Sequence, residues 1–82
     1  MNRIRILLFA TLRQRAGAKA IEIELPDQAN VHALKEQVGR EFPALRESME
    51  TVVTAINREF AFEDALIPAN GEIALFPPVS GG

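Results

Sequence analysis

The 82-residue chain contains no cysteine, no tryptophan and no tyrosine. Without cysteine it can form no disulfide, no thiolate nucleophile and no cysteine-bound metal site. Its one histidine, His32, has no second histidine or cysteine with which to bind zinc, so we expect a solvated surface residue. Nine Lys and Arg residues are scattered among eleven Asp and Glu residues, which leaves neither sign of charge in large excess. The sequence therefore indicates no binding to nucleic acid or to an anionic membrane.

Long apolar segments are also missing. The run at residues 6–10 is soon followed by Arg13 and Arg15, and it is too short for a membrane helix or a signal peptide. We therefore expect a cytoplasmic protein. With 48% hydrophobic residues the chain can bury one modest core, so residues 1–82 are predicted to form a single domain.

Alternation of apolar and polar residues, together with β-branched stretches, is typical of β-strands. The first two predicted strands form a hairpin, and the turn signal Asn70-Gly71 precedes the last one. Residues 60–66 fit either a short strand or a turn. The predicted strands cover residues 3–9, 21–25, 52–56 and 72–76.

The main helix is predicted to begin after Asn30, because this N-cap residue precedes apolar residues at positions 31, 34, 38 and 42. Pro43 requires the helix to end near Phe42. Gly39 lowers the helix propensity by about 1 kcal/mol relative to alanine, so we expect the second half to fray.

A short connecting helix is predicted over residues 12–16, with Thr11 as its cap and Gly17 at its end. The order of elements suits an α+β domain in which one main helix packs across a mixed sheet. Ubiquitin-like β-grasp domains have this order. In them the last strand lies beside the first and runs parallel to it.

The segment after the last strand is the most unusual part of the sequence. It reads Phe-Pro-Pro-Val-Ser-Gly-Gly from Phe76 to Gly82. Proline extends the backbone and the terminal glycines carry no Cβ, so residues 77–82 are predicted to be a slender, flexible tail that spans at most about 20 Å. Such a tail can carry the Gly82 carboxylate into a pocket of another protein. The alternative is an ordinary frayed terminus.

The rest of the chain shows no carboxylate motif, glycine-rich loop or nucleophile–base pair. We therefore expect no active site in the folded part. The terminal carboxylate is an anion near pH 7, since its ordinary pKa is about 3.5, and it is a poor electrophile until another enzyme activates it with ATP.

Strand parity predicts an exposed apolar patch on the sheet face that points away from the main helix. A patch of this kind marks a docking surface unless a loop covers it. Together with the start of the tail it forms the candidate partner-binding set. The members are Leu7, Phe9, Phe60, Ala74, Phe76, Pro77, Pro78 and Val79.

Several stretches resemble the small subunits of molybdopterin synthase, which are ubiquitin-like sulfur carriers. The specific one is the Pro-Pro-Val-Ser-Gly-Gly ending, and weaker ones are residues 7–10, 12–13, 30–34 and 55–57 with Gly17. The resemblance implies a non-catalytic carrier without a bound cofactor, in which Gly82, with Gly81 as its slim neighbour, is the reactive end.

By the same resemblance, an activating enzyme adenylates Gly82 with ATP, and a sulfur donor converts the adenylate to a thiocarboxylate. The synthase large subunit, in a complex with two copies of each chain, then uses the sulfur on cyclic pyranopterin monophosphate. Three alternatives stay open: a sulfur carrier for thiamine or tRNA thiolation, a ubiquitin-like modifier joined to lysines, and a plain interaction domain. The proline-rich ending argues against the thiamine type.

Overall fold

The computed structural model describes residues 1–78, which contain five strands and two α-helices. Two short 3-10 helices, Pro43–Leu45 and Glu47–Glu50, follow the main helix. The elements in chain order are β1 Asn2–Leu8, α1 Thr11–Ala16, β2 Ala20–Leu25, α2 Val31–Glu41, β3 Val53–Ile56, β4 Glu59–Ala61 and β5 Ile73–Phe76.

The strands form one mixed sheet in the order β2-β1-β5-β3-β4. β5 is central: it pairs in parallel with β1, where Ile6 lies opposite Ile73, and antiparallel with β3. The other two pairs, β1 with β2 and β3 with β4, are antiparallel hairpins. The prediction that the final strand lies beside and parallel to the first is confirmed, and the fold is a ubiquitin-like β-grasp.

The core lies between one face of the sheet and α2. Alternate residues of β1 and β5 point into it, since Ile6, Leu8, Ile73 and Leu75 are all fully buried. Leu34 and Val38 of α2 cover them as part of the same apolar cluster. The predicted strand parity is therefore correct, and it directs the remaining residues of both strands to the opposite, open face of the sheet.

Helix α2 begins and ends as predicted. The side-chain oxygen of Asn30 accepts a hydrogen bond from the Ala33 N–H at 2.9 Å, as an N-cap should. The Phe42 N–H still bonds to the Val38 carbonyl at 2.8 Å, so the expected fraying is wrong. Gly39 is buried against the Arg46 side chain, and this packing holds the second half of the helix in place.

Helix α1 starts differently from the prediction. Ala10, not Thr11, occupies the N-cap position with a φ of 52°, and no side chain caps the helix. Gly17 ends the helix in the left-handed conformation, φ 71°, as predicted.

The segment that the sequence left ambiguous begins with a short strand. β4 follows β3 through a two-residue turn in which Asn57 and Arg58 both have positive φ, at 52° and 71°. This is the pattern of a type I′ hairpin, which favours glycine at the second position. An arginine there adopts a backbone conformation that costs a non-glycine residue about 1 kcal/mol.

The loop after β4 is anchored to the start of α2. The Val31 and His32 N–H groups donate to carbonyls of Ala65 and Glu63, at 2.9 and 3.0 Å. Lys35 hydrogen-bonds the Glu63 carboxylate at 2.9 Å and lowers the pKa of that group.

His32 is more than half exposed and lies beside Glu36 and Glu63, so it is a surface residue as expected.

We predict that Gly39→Ala stabilises the domain by about 0.5–1 kcal/mol, because alanine restricts the unfolded chain and favours the helix. The new Cβ would lie 3.6 Å from the Arg46 Cγ, an ordinary contact distance. Urea unfolding followed by circular dichroism measures the change. A lower urea midpoint for the variant would show that the site is too tight for a methyl group.

Candidate partner-binding site

The open face of the sheet carries an apolar row that crosses all five strands. The strand registers place Leu7 opposite Ala74, Ala74 opposite Ala55 and Ala55 opposite Phe60. Ala20 completes the row beside Leu7. Because paired residues share a face, these side chains form one continuous surface.

A stacked aromatic pair adjoins this row towards the end of β5. The rings of Phe9 and Phe76 are 4.6 Å apart and nearly parallel, at 12°. The Arg13 guanidinium lies over the Phe9 ring, 5.8 Å from its centre, and its Nε donates to the Leu8 carbonyl at 3.3 Å. Phe9 and Phe76 are half-buried, so the pair both stabilises the face and remains accessible.

We define the open-face patch as the apolar surface made by this row and this pair. It surrounds a shallow depression of about 250 Å³, with Arg58 and Glu72 at its rim. Phe60 is 82% exposed and projects at one side. The members of the open-face patch are Leu7, Phe9, Ala20, Ala55, Phe60, Ala74 and Phe76.

The sequence correctly placed Leu7, Phe9 and Phe76 together. It was wrong to call Ala74 exposed, because its neighbours on both sides leave it only 7% accessible and make it the floor of the depression. It missed Ala55, which lies on β3 directly opposite Ala74. Once β3 is paired with β5, the same parity argument that found Ala74 finds Ala55 as well.

The other half of the open face is polar. Arg3 hydrogen-bonds Glu22 at 2.5 Å, and this bond lowers the pKa of Glu22. Arg3 also lies 3.7 Å from Glu24 across the β1–β2 pair. Charged residues thus cover the end of the sheet remote from the Phe9–Phe76 stack, and apolar residues cover the end beside it.

The tail starts beside the open-face patch. Phe76 is the last residue of β5, Pro77 is half-buried and Pro78 is exposed. Val79, Gly81 and Gly82, which the sequence selected as site residues, lie outside the described residues. The patch and the first prolines of the tail thus belong to one region of the surface.

Within residues 1–78, no three His, Asp or Glu side chains converge on a point where they would hold a metal ion. Nor is any helix in this part of the chain both long and apolar enough to span a bilayer. Arg5, Arg13, Arg58 and Glu72 are charged residues beside the open-face patch. An apolar surface with a few charges at its rim is suited to binding a protein partner.

Comparison with known proteins agrees with this geometry. Residues 6–82 match the ThiS family. The chain is 36% identical to the molybdopterin synthase sulfur carrier subunit of Dictyostelium discoideum, over 99% of this chain and 98% of that one. The corresponding subunit of Arabidopsis thaliana is 32% identical, over 96% of this chain and 82% of its own length.

A solved structure is also similar. Small archaeal modifier protein 1 (SAMP1) of Haloferax volcanii is 30% identical and superimposes with a TM-score of 0.84, over 99% of this chain and all of that one.

We predict that Phe60 and Phe76 differ in their effect on stability. Phe60→Thr should change the free energy of unfolding by less than about 0.5 kcal/mol, since the ring is exposed and threonine favours strands. Phe76→Ala should cost about 2 kcal/mol, because it removes a half-buried ring and that ring's stacking contact with Phe9. Urea unfolding of both variants measures the difference. Equal losses would mean that Phe60 packs into the fold as Phe76 does.

Proposed function

The chain belongs to the ThiS family, and on this basis we propose that it is the sulfur carrier subunit of a molybdopterin synthase. One structural observation carries the proposal: the open-face patch lies beside the strand end from which the Pro-Pro-Val-Ser-Gly-Gly tail continues. A partner that binds the patch receives the tail at the same time. The names of the relatives support the role of a sulfur carrier, and the position of the patch beside the tail supports a means of delivery.

In the proposed reaction, the Gly82 carboxylate attacks the α-phosphate of ATP on an activating enzyme and releases pyrophosphate. Hydrosulfide from a donor then attacks the acyl carbon of the adenylate, a C–S bond forms, the C–O bond to AMP breaks, and the departure of AMP leaves a thiocarboxylate at the chain end. The two terminal glycines suit this step, because residues without a Cβ pass through a narrow channel towards the nucleotide. No side chain of the folded part takes part in the chemistry.

The large subunit of the synthase would accept the loaded tail and use its sulfur to build the dithiolene from cyclic pyranopterin monophosphate. We propose that two copies of each subunit assemble and that the open-face patch forms the contact. Aromatic residues of an interface often contribute much of the affinity, which points to Phe9, Phe60 and Phe76. We propose that the carrier itself binds no cofactor and that it acts in the cytoplasm.

The central position of β5 fits this task. Its backbone is hydrogen-bonded to β1 on one side and to β3 on the other, so the point where the tail begins is held by the sheet. Because Ile73 and Leu75 are fully buried, β5 cannot slide along its neighbouring strands without opening the core. The length of the tail therefore limits how far from the patch the reacting end can reach.

We predict that deleting Gly82 abolishes thiocarboxylate formation. The new terminal carboxylate would lie about 3.5 Å short of the activating site, and a displacement of 1 Å can cost about 10²-fold in rate. Incubation with the activating enzyme, ATP and a sulfur donor, followed by intact mass measurement, shows whether one oxygen is replaced by sulfur.

The matched control is binding of the truncated chain to the large subunit, which should be unchanged since the open-face patch is intact. Thermal stability should also stay the same. Sulfur transfer by the truncated chain at nearly the rate of the full chain would refute the carrier proposal.

A second variant tests the docking surface. Phe60→Thr should weaken binding to the large subunit about 10- to 100-fold, because an exposed aromatic residue that a partner covers often contributes about 1.4–3 kcal/mol. Leu66→Thr is the control, since Leu66 is also exposed, at 62%, but lies beside the start of α2. Isothermal titration calorimetry measures both. A larger effect of the Leu66 variant would place the interface on the helical side.

The likeness to SAMP1 favours a second candidate function, in which activated Gly82 is joined to lysine amines of other proteins. Both functions share the adenylate, so they differ only in what attacks it. Reaction of the labelled chain with activating enzyme and ATP in an extract of its own cells separates them. Labelled adducts of higher mass that resist thiols support the modifier, and a thiocarboxylate without adducts supports the carrier.

A further inference from the structure

Arg58 occupies a position where glycine would suit the fold better. It is the second residue of the two-residue β3–β4 turn and has a φ of 71°. The side chain adds little stability to offset this conformation. It is 85% exposed, and its Nε lies 3.7 Å from a carboxylate oxygen of Glu72. That distance exceeds hydrogen-bond range, and an exposed ion pair of this kind adds little stability. The turn itself is secured by Asn57, whose backbone and side chain both bond to the backbone of Glu72.

The position of Arg58 indicates a role in binding and not in stability. It lines the depression of the open-face patch, in the company of Phe60 and Phe76. The register of β3 with β5 puts Ile56 opposite Ile73, so the turn lies at the start of β5, at the end of the patch remote from the tail. Arg13 lies over Phe9, at the end where the tail begins. The patch therefore carries a guanidinium at each end.

We infer that Arg58 is a specificity-determining residue of the open-face patch, which binds a carboxylate on the surface of the partner protein. The partner surface then has an apolar centre and an acidic side chain opposite the turn. This inference rests on the proposed function, because it describes how the large subunit is recognised. The guanidinium suits this role since its planar fork can donate two parallel hydrogen bonds to one carboxylate.

Charge at the rim supports a carboxylate as the ligand. The charged groups that face the depression are Arg58 and Glu72, and Arg13 lies along the same surface. Glu72 is about half exposed and is held near the turn by its backbone bonds to Asn57. Its long contact with Arg58 leaves most of the guanidinium N–H groups free to donate. When a partner covers the apolar surface, water leaves the rim and a hydrogen bond to the guanidinium becomes stronger.

Three substitutions separate the backbone effect from the charge effect. Arg58→Gly removes both the side chain and the unfavourable conformation, Arg58→Gln removes the charge alone, and Arg58→Lys keeps the charge but loses the fork. Arg40→Gln is the matched control, because Arg40 is an exposed arginine on α2, away from the open face. The full chain of each variant is titrated with the large subunit from the same organism, at low and at high salt, and unfolded in urea.

We expect Arg58→Gly to raise the urea midpoint and yet to weaken binding about tenfold at low salt. Arg58→Gln should weaken binding equally without the gain in stability, and Arg58→Lys should weaken it less. High salt should reduce the difference in affinity between the native chain and the Arg58 variants, because it screens the attraction between the guanidinium and the partner's carboxylate. Arg40→Gln should bind as the native chain does.

Native affinity in the Arg58→Gly and Arg58→Gln variants would overturn this inference and leave the proposed function intact. Equal weakening by Arg40→Gln would also overturn it, since net charge and not the position of Arg58 would then be responsible. No binding by the native chain itself would overturn both the inference and the proposed function.

Discussion

The parallel pairing of β1 with β5 is the interaction on which the rest of the structure depends. It joins the two ends of the chain, and its Ile6–Ile73 and Leu8–Leu75 pairs form the floor of the core beneath α2. On the other face the same register brings Leu7 to Ala74 and Phe9 to Phe76. One set of backbone hydrogen bonds therefore builds both the buried core and the open-face patch, because alternate residues of a strand serve opposite faces.

Local patterns predicted most of this arrangement. Period-two alternation gave β1 and β2 nearly to the residue, and the Asn30 cap gave the start of α2, since both signals lie within a few neighbouring residues. Predictions failed where a distant contact decided the outcome. Gly39 does not fray α2 because Arg46 packs against it, and Ala74 is buried because Leu7 and Ala55 flank it from other strands. No local pattern contains those contacts.

The residues of the candidate site also fall into those that local patterns predict and those that they do not. Leu7, Phe9 and Phe76 were predictable, because strand parity needs only the positions of two strands. Arg58 was not, since an arginine after Asn57 gives no sign of a left-handed turn where glycine is the usual residue. Gly82 was chosen for its chemistry and its family resemblance alone, so its proposed role rests on the proposed reaction and not on the fold.

The central placement of β5 also has a mechanical consequence. A force that pulls the tail along the strand axis acts across the hydrogen bonds to β1 and β3 at once, because those bonds run across the direction of pull. They must break together under shear, whereas the bonds of an edge strand that is peeled sideways break one after another. A pull on the tail is therefore resisted by the pairing on both sides of β5 together, and the last strand stays in the sheet under a force that would peel away an edge strand.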